Sequence, residues 1–443
     1  MKQGKIVGFF LMLLLSGVVA CQQRIQMTSE TINEAEVLHN NQEKLTQLII
    51  YDVFNPPVAS RIYSYASLAS YEAIRFGDSS YPSLITQLHG FDSLVMPHKD
   101  KTYNYTLAAT KAFFTVVRKV TFSVDSLDAY ENGVYARFHA QLDDSTYQRS
   151  LSFGESVGNL VLKRAAKDNY SRTRGMPKYL GSSESGNWRP TGPDYMDGAE
   201  SHWSEMKTFV LDSASALTLP PPPAYSNDKE SVFYKQNLEL YNACNKLTAE
   251  QADIAKYWDD NSLVMEHSGH LSFANKKITP GGHWIGITQI ACKKVNADEV
   301  KTAQSYALIS VALFEAFTAC WDVKYKTGYV RPITVIQEKI DPRWFPMLQT
   351  PPFPEYPSGH STITRAAAEL LTHLYGDNFA FQDTSNFKYI GMKRDFRSFV
   401  HAADEASISR FYGGIHYMNS LAAGAELGRK VSEMMLAKLK IRQ

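Results

Sequence analysis

Three short clusters oblige this chain, however it folds, to bring the ends of separate elements to one point: Lys324-x6-Arg331-Pro332, Pro357-Ser358-Gly359-His360 and Ser409-Arg410-x5-His416. None means much alone. Together they carry the donors of a site for a tetrahedral oxyanion. The planar guanidinium of Arg331 or Arg410 holds two oxygens of one anion at once, and Lys324 adds a compact third cation. Ser358 brings a hydroxyl and Gly359 a backbone N–H that no side chain shields, so the Pro-Ser-Gly-His turn presents short donors to the same oxygens. Two histidines remain for chemistry. An oxyanion passing through a five-coordinate state needs one axial group as nucleophile or ligand and another as acid or base, and imidazole titrates in the useful range. His416 and His360 fit these two roles.

In order and spacing the three clusters resemble the signature of the type 2 phosphatidic acid phosphatase and vanadium-dependent haloperoxidase superfamily, a three-part match being far more specific than any one short motif. The resemblance implies an all-α fold of packed helical bundles, vanadium chloroperoxidase-like or acid phosphatase-like. It also implies that Lys324, Arg331, Ser358, Gly359 and Arg410 hold the equatorial oxygens, that His416 is the axial vanadium ligand or the attacking nucleophile, and that His360 is the acid–base partner. Vanadate on a histidine has the trigonal-bipyramidal shape of a phosphoryl group in transfer, so one pocket suits two chemistries. A haloperoxidase would take vanadate as cofactor and peroxide and halide as substrates, with His360 moving a proton and Lys324 polarising the activated oxygen. A phosphatase would hold phosphate there instead, His416 attacking a phosphoester and His360 protonating the leaving alcohol. A third reading is a lipoprotein that binds an oxyanion without turning it over.

Trp321, three residues before Lys324, and Phe353, five before Ser358, resemble the aromatic pair beside vanadate in chloroperoxidases, which puts the haloperoxidase reading first. The same rings also read as ordinary bundle packing. Asp260 stands where soluble members of the family carry an acidic residue that orients a site histidine, making it a candidate partner of His360. A surface aspartate at a helix end is an equal reading. The chain departs from the family pattern at Ser420, four residues after His416, where an aspartate is usual. Serine supports an imidazole less well than a carboxylate does, so His416 either draws support from elsewhere or binds more weakly.

The start of the chain reads as an export signal. Lys2 and Lys5 precede an apolar run from Ile6 to Leu15 that is too short to cross a bilayer. Val18-Val19-Ala20-Cys21 resembles a bacterial lipoprotein cleavage box, so residues 1–20 are expected to be removed and Cys21 to carry lipid. Gln22, where a retention signal would have Asp, favours the outer membrane facing the periplasm. No later run reaches about 18 apolar residues, so the mature chain is expected to meet a membrane only through that lipid. Lys plus Arg number 46 against 45 for Asp plus Glu, which leaves no electrostatic footprint for nucleic acid. Cys244, Cys292 and Cys320 lack metal-type spacing and sit among apolar residues.

Helical periodicity is expected over Thr31–Tyr51, Ser60–Arg75, Tyr103–Val120, Asp125–Leu142, Ser150–Asp168, Glu230–Leu247, Ala249–Trp258, Val300–Trp321, Ser361–Tyr375 and Phe399–Tyr412. No stretch alternates convincingly as a strand or hairpin. A loop rich in Gly, Pro and Ser, 169–229, divides an N-terminal helical region, 21–228, from a C-terminal domain, 229–443, that carries the site. Within it, Gly186 to Pro193 reads equally as a cover for the site mouth or as a surface linker. Glu266-His267-Ser268-Gly269-His270 lacks a third ligand at metal spacing and reads as a polar loop. His283, after Pro280-Gly281-Gly282, starts a helix and reads as a packing histidine lining the cleft.

Overall fold

A computed structural model describes residues 31–262, 265–268, 270–274 and 277–442. The expected leader 1–20 and the lipidation candidate Cys21 lie outside them. From Asn33 onward the chain forms one compact unit, and its axis is the helix Glu299–Thr327. Asp298 opens this helix by accepting the Lys301 N–H at 2.7 Å, and Gly328 closes it in the left-handed region at φ 54°. At 29 residues it runs about 44 Å, apolar on nearly every side, which marks a helix packed all round. It is the one helix among the described residues long and apolar enough to cross a membrane, yet 94% of its most apolar stretch is buried inside the bundle.

Helices from both ends of the chain share this axis. Pro56–Ile74, entered through the Asn55 cap with Pro56 and Pro57 in its first turn, lies along it, close enough for Ser64 Oγ to donate to the Ser310 carbonyl at 2.7 Å. Gly359–Tyr375 and Pro280–Lys294 pack on other sides. An outer layer of Tyr105–Val120 and Asp144–Ala165 covers Pro56–Ile74, while Phe399–Tyr412 and Met418–Lys438 cover Gly359–Tyr375. The architecture is therefore packed helical bundles, as expected. Glycines set the closest of these approaches. A Cβ on Gly424 would lie 2.5 Å from the Ser358 carbonyl oxygen, and one on Gly428 2.2 Å from that of Thr362. The final helix can thus rest directly on the start of the helix behind His360.

Two corrections concern strands. Met265–Ser268 pairs with Leu271–Ala274, and Phe381–Asp383 with Arg394–Phe396, both antiparallel. The segment read as a polar loop around His267 is therefore a pair of antiparallel strands. The second pair is three residues a side, too short to display a period of two. Among the described residues no group of His, Cys, Asp or Glu is gathered to hold a metal ion.

The 169–229 loop is irregular apart from one short helix, Tyr170–Arg174, and a single turn at Trp203–Glu205. Its middle is strapped to the end of the central helix: Trp188 N–H donates to Gly328 O at 2.6 Å and Val330 N–H to Gly186 O at 3.0 Å. Trp188 is fully buried. Farther along, Thr191, Asp194 and Met196 meet Asn261 and Gln349, two residues of the cleft described next.

Candidate active site

The three clusters do converge. Trp321, Phe353, Gly359, His360, Arg410 and His416 line one cleft at the C-terminal end of the central helix. Ser358 caps Gly359–Tyr375, its Oγ accepting the Ser361 N–H at 3.3 Å, so the unpaired N–H groups of that helix start face the cleft. Gly359 lies against the Trp321 ring, where an added Cβ would make ordinary contact at 3.4 Å. Arg410 lies in the last turn of Phe399–Tyr412, and the bend at Gly414, φ 78°, brings His416 back toward it.

His416 is held in one tautomer by a partner on each ring nitrogen. Its Nδ1 lies 2.8 Å from Glu355 Oε1, and that carboxylate also accepts the Tyr417 N–H at 3.0 Å and the Ser420 hydroxyl at 2.5 Å. A carboxylate surrounded by donors fixes the Nδ1–H tautomer, which leaves the Nε2 lone pair to accept from Arg331 Nη1 at 3.3 Å. Burial, followed by Arg331, Lys324 and Arg410, holds this imidazole well below its ordinary pKa, so it is neutral. Burial also pushes the Glu355 carboxyl up, against the pull of Ser420, Arg331 and Lys324. Ser420 thus supports His416 through Glu355, a residue that sequence reasoning missed. The only hint was a lone acid in the proline run Pro351 to Pro357.

Arg331 donates from Nε to Phe353 O at 2.8 Å and from Nη1 to Ile415 O at 2.9 Å, while its buried Nη2 has no partner. His360 Nε2 is likewise buried and unpartnered. The Trp258 carbonyl accepts from the His360 ring, necessarily at Nδ1, so Nε2 carries the lone pair of a base. Burial first, then Arg410, His283 and Lys324, keeps the ring neutral. Arg410 donates from Nη2 to the same Trp258 carbonyl at 2.5 Å and from Nε to Ser409 Oγ at 2.9 Å.

Lys324 is placed differently from expectation. Its ammonium donates to the carbonyls of Pro354 at 2.9 Å, Glu355 at 3.0 Å and Pro357 at 2.5 Å, which uses all three of its protons. The proline-rich turn points these oxygens inward with few backbone partners, and a buried cation satisfies them. Lys324 therefore serves the cleft through its charge and by shaping the turn. Burial, with Arg331 next to it, lowers its pKa. Trp321 and Phe353 form one wall, ring centroids 4.9 Å apart, and Phe353 also lies 5.1 Å from Lys324 Nζ and 5.0 Å from the Arg331 guanidinium.

Asp260 requires a correction. Its carboxylate binds His283 rather than His360, Oδ2 to Nδ1 at 2.8 Å. His283, carried in by Pro280–Lys294, stacks on Trp258 with centroids 4.4 Å apart and takes the carboxylate before it can reach His360. The expected packing histidine is thus a fully buried ionic one, its Nε2 2.9 Å from Asp383.

An oxyanion fits this arrangement. Arg331 Nη2 and His360 Nε2 are buried polar atoms awaiting a partner, the His416 lone pair suits an electrophilic centre, and the cations Lys324, Arg331 and Arg410 are all buried at the site.

Comparison with known proteins places the same elements in context. A family model described as the VCPO second helical-bundle domain matches residues 337–442. No curated protein sequence matches the chain. Among solved structures, the first bacterial vanadium-dependent iodoperoxidase superimposes with a TM-score of 0.87 at 42% identity, over 93% of this chain and 98% of that one. A holo-type bacterial vanadium-dependent chloroperoxidase shares the fold at a TM-score of 0.66 and 16% identity, over 90% and 95% of the two chains.

Proposed function

Because this chain belongs to the vanadium-dependent haloperoxidase family, we propose that it binds vanadate between Arg331, Arg410, the Ser358-Gly359 turn and His416, and oxidises a halide with hydrogen peroxide. Iodide is the first halide to test, since the 42% identical structure is that of an iodoperoxidase. The observation that carries the reading is His416 held in one tautomer, its Nδ1 backed by Glu355 and its Nε2 lone pair met by Nη1 of Arg331, whose Nη2 is buried without a partner.

Bound vanadate would supply a Lewis-acidic centre that activates peroxide toward a nucleophilic halide. The protein's own contributions follow from the geometry. His416 offers one neutral nitrogen with no freedom to change tautomer. Arg331 and Arg410 supply fixed positive charge from two separate elements, and the helix start at Ser358 adds backbone donors. His360 Nε2 is placed to take a proton from incoming peroxide and return it to the leaving oxygen. The Trp321–Phe353 wall limits water, which strengthens each of these contacts.

Orthovanadate, peroxide and iodide are mixed with the full chain in phosphate-free buffer and iodide oxidation is followed optically, with p-nitrophenyl phosphate hydrolysis in a parallel vanadate-free sample. Vanadate-dependent oxidation that phosphate suppresses, and that His416→Ala abolishes, is the expected result. Phosphoester hydrolysis without halide oxidation would overturn it in favour of the phosphatase chemistry. Export and lipid attachment at Cys21 belong to the same proposal, supported by Lys2, Lys5 and the Val18-Val19-Ala20-Cys21 box. An N-terminal mass without diacylglycerol at Cys21 would refute that part.

A further inference from the structure

A buried ionic cluster runs back from the cleft: Asp260 is part of the cleft lining, while His283 and Asp383 lie behind it. His283 has a carboxylate on each ring nitrogen, Asp260 at 2.8 Å and Asp383 at 2.9 Å. Both carboxylates are surrounded by further donors: Asn386 Nδ2 donates to Asp260 at 3.0 Å, and the N–H and hydroxyl of Ser385 donate to Asp383 at 3.0 and 2.7 Å. Ionised carboxylates only accept, so both ring nitrogens must carry protons and His283 is an imidazolium. Its flat face lies on the Trp258 indole, with 21° between the planes, an arrangement a cation favours.

This cluster ends on a single oxygen. The Asp260 N–H donates to the Trp258 carbonyl at 2.9 Å, so the residue that clamps His283 through its side chain also clamps Trp258 through its backbone. That carbonyl accepts Arg410 Nη2 and the His360 ring. We propose that the Asp260–His283–Asp383 triad is a positioning unit: by fixing the Trp258 carbonyl it aligns the guanidinium of Arg410 and the proton-accepting nitrogen of His360 on the oxyanion. His283 and Asp383 are not among the residues that line the cleft, and the Asp260 carboxylate is engaged by His283 and Asn386. The charged and titratable groups facing His283 are the two aspartates, His360 on the cleft side, and the Tyr257 ring 5.5 Å away, while Arg410 faces Asp260.

The inference rests on the oxyanion-site reading, so the first measurement is titration of the full wild-type chain with orthovanadate by calorimetry. Failure to bind defeats that reading itself. Asp260→Asn and Asp383→Asn are then titrated, the latter altering the triad at the end remote from Trp258. Loss of an outer partner typically weakens metal binding about 10–100-fold, and a rise of the dissociation constant in that range is expected for both. A unit that only stabilised the fold would lower the unfolding temperature and leave the affinity of the folded variants at the wild-type value, which overturns the proposal. Should either variant not fold, 15N-histidine spectra of the wild-type chain decide: the ring in contact with the Trp258 indole must keep both ring protons at pH 8, and a neutral ring there overturns the proposal.

Discussion

Replacing Glu355 with Gln keeps the volume of the buried side chain but removes the charge on which His416, Tyr417 and Ser420 converge. One of the three donors would then face an amide N–H, and the His416 Nδ1 proton would lose its fixed acceptor. Vanadate affinity is expected to fall about 10–100-fold, read by calorimetric titration of Glu355→Gln against wild type. The residues that touch an oxyanion were legible in the sequence because cations, Ser-Gly and paired histidines have few other uses at such spacing. Their supports were not. Glu355 acts on a histidine 61 residues away, and the Trp258 carbonyl is a backbone atom that no residue type announces. Asp260 was legible as a support but not its target, because only folding brings His283 between it and His360.

At the scale of elements, the contact between the last helix and the start of Gly359–Tyr375 is where a small change should reach the site. Gly424→Ala would place a methyl group 2.5 Å from the Ser358 carbonyl, so the helices must part. Such overpacking costs about 1–3 kcal/mol. A lower urea midpoint with a larger proportional loss of halide oxidation is expected, since the displaced residues are Ser358 and Gly359. Phe399–Tyr412 forms over the span its apolar period indicates, and the other long helices shift by a few residues at their ends. Pro332–Lys339 and Met418–Lys438 were not anticipated. The second of these carries glycines at 424 and 428 that weaken helix propensity but serve close packing.

For the whole molecule, the buried imidazolium makes stability depend on pH in a defined direction. Burial alone would lower the pKa of His283, but Asp260 and Asp383 raise it from 6.5 to about 10. A raised folded-state pKa contributes stability fully present below the unfolded value and lost as pH rises through the folded one, with a slope of up to about 1.4 kcal/mol per pH unit. The calorimetric unfolding temperature should therefore fall between pH 6.5 and about 10, and should begin to fall at lower pH in Asp383→Asn. The all-α class was legible from period alone, whereas the sharing of one axis by both ends of the chain was not. That sharing has a practical consequence. Trp321 and Lys324 stand on the last turns of a helix whose middle is sheathed by Pro56–Ile74, so residues 229–442 expressed alone would leave a long apolar flank open to water. The reaction centre is not a portable module: a split version should regain its site only when the missing half is supplied in trans.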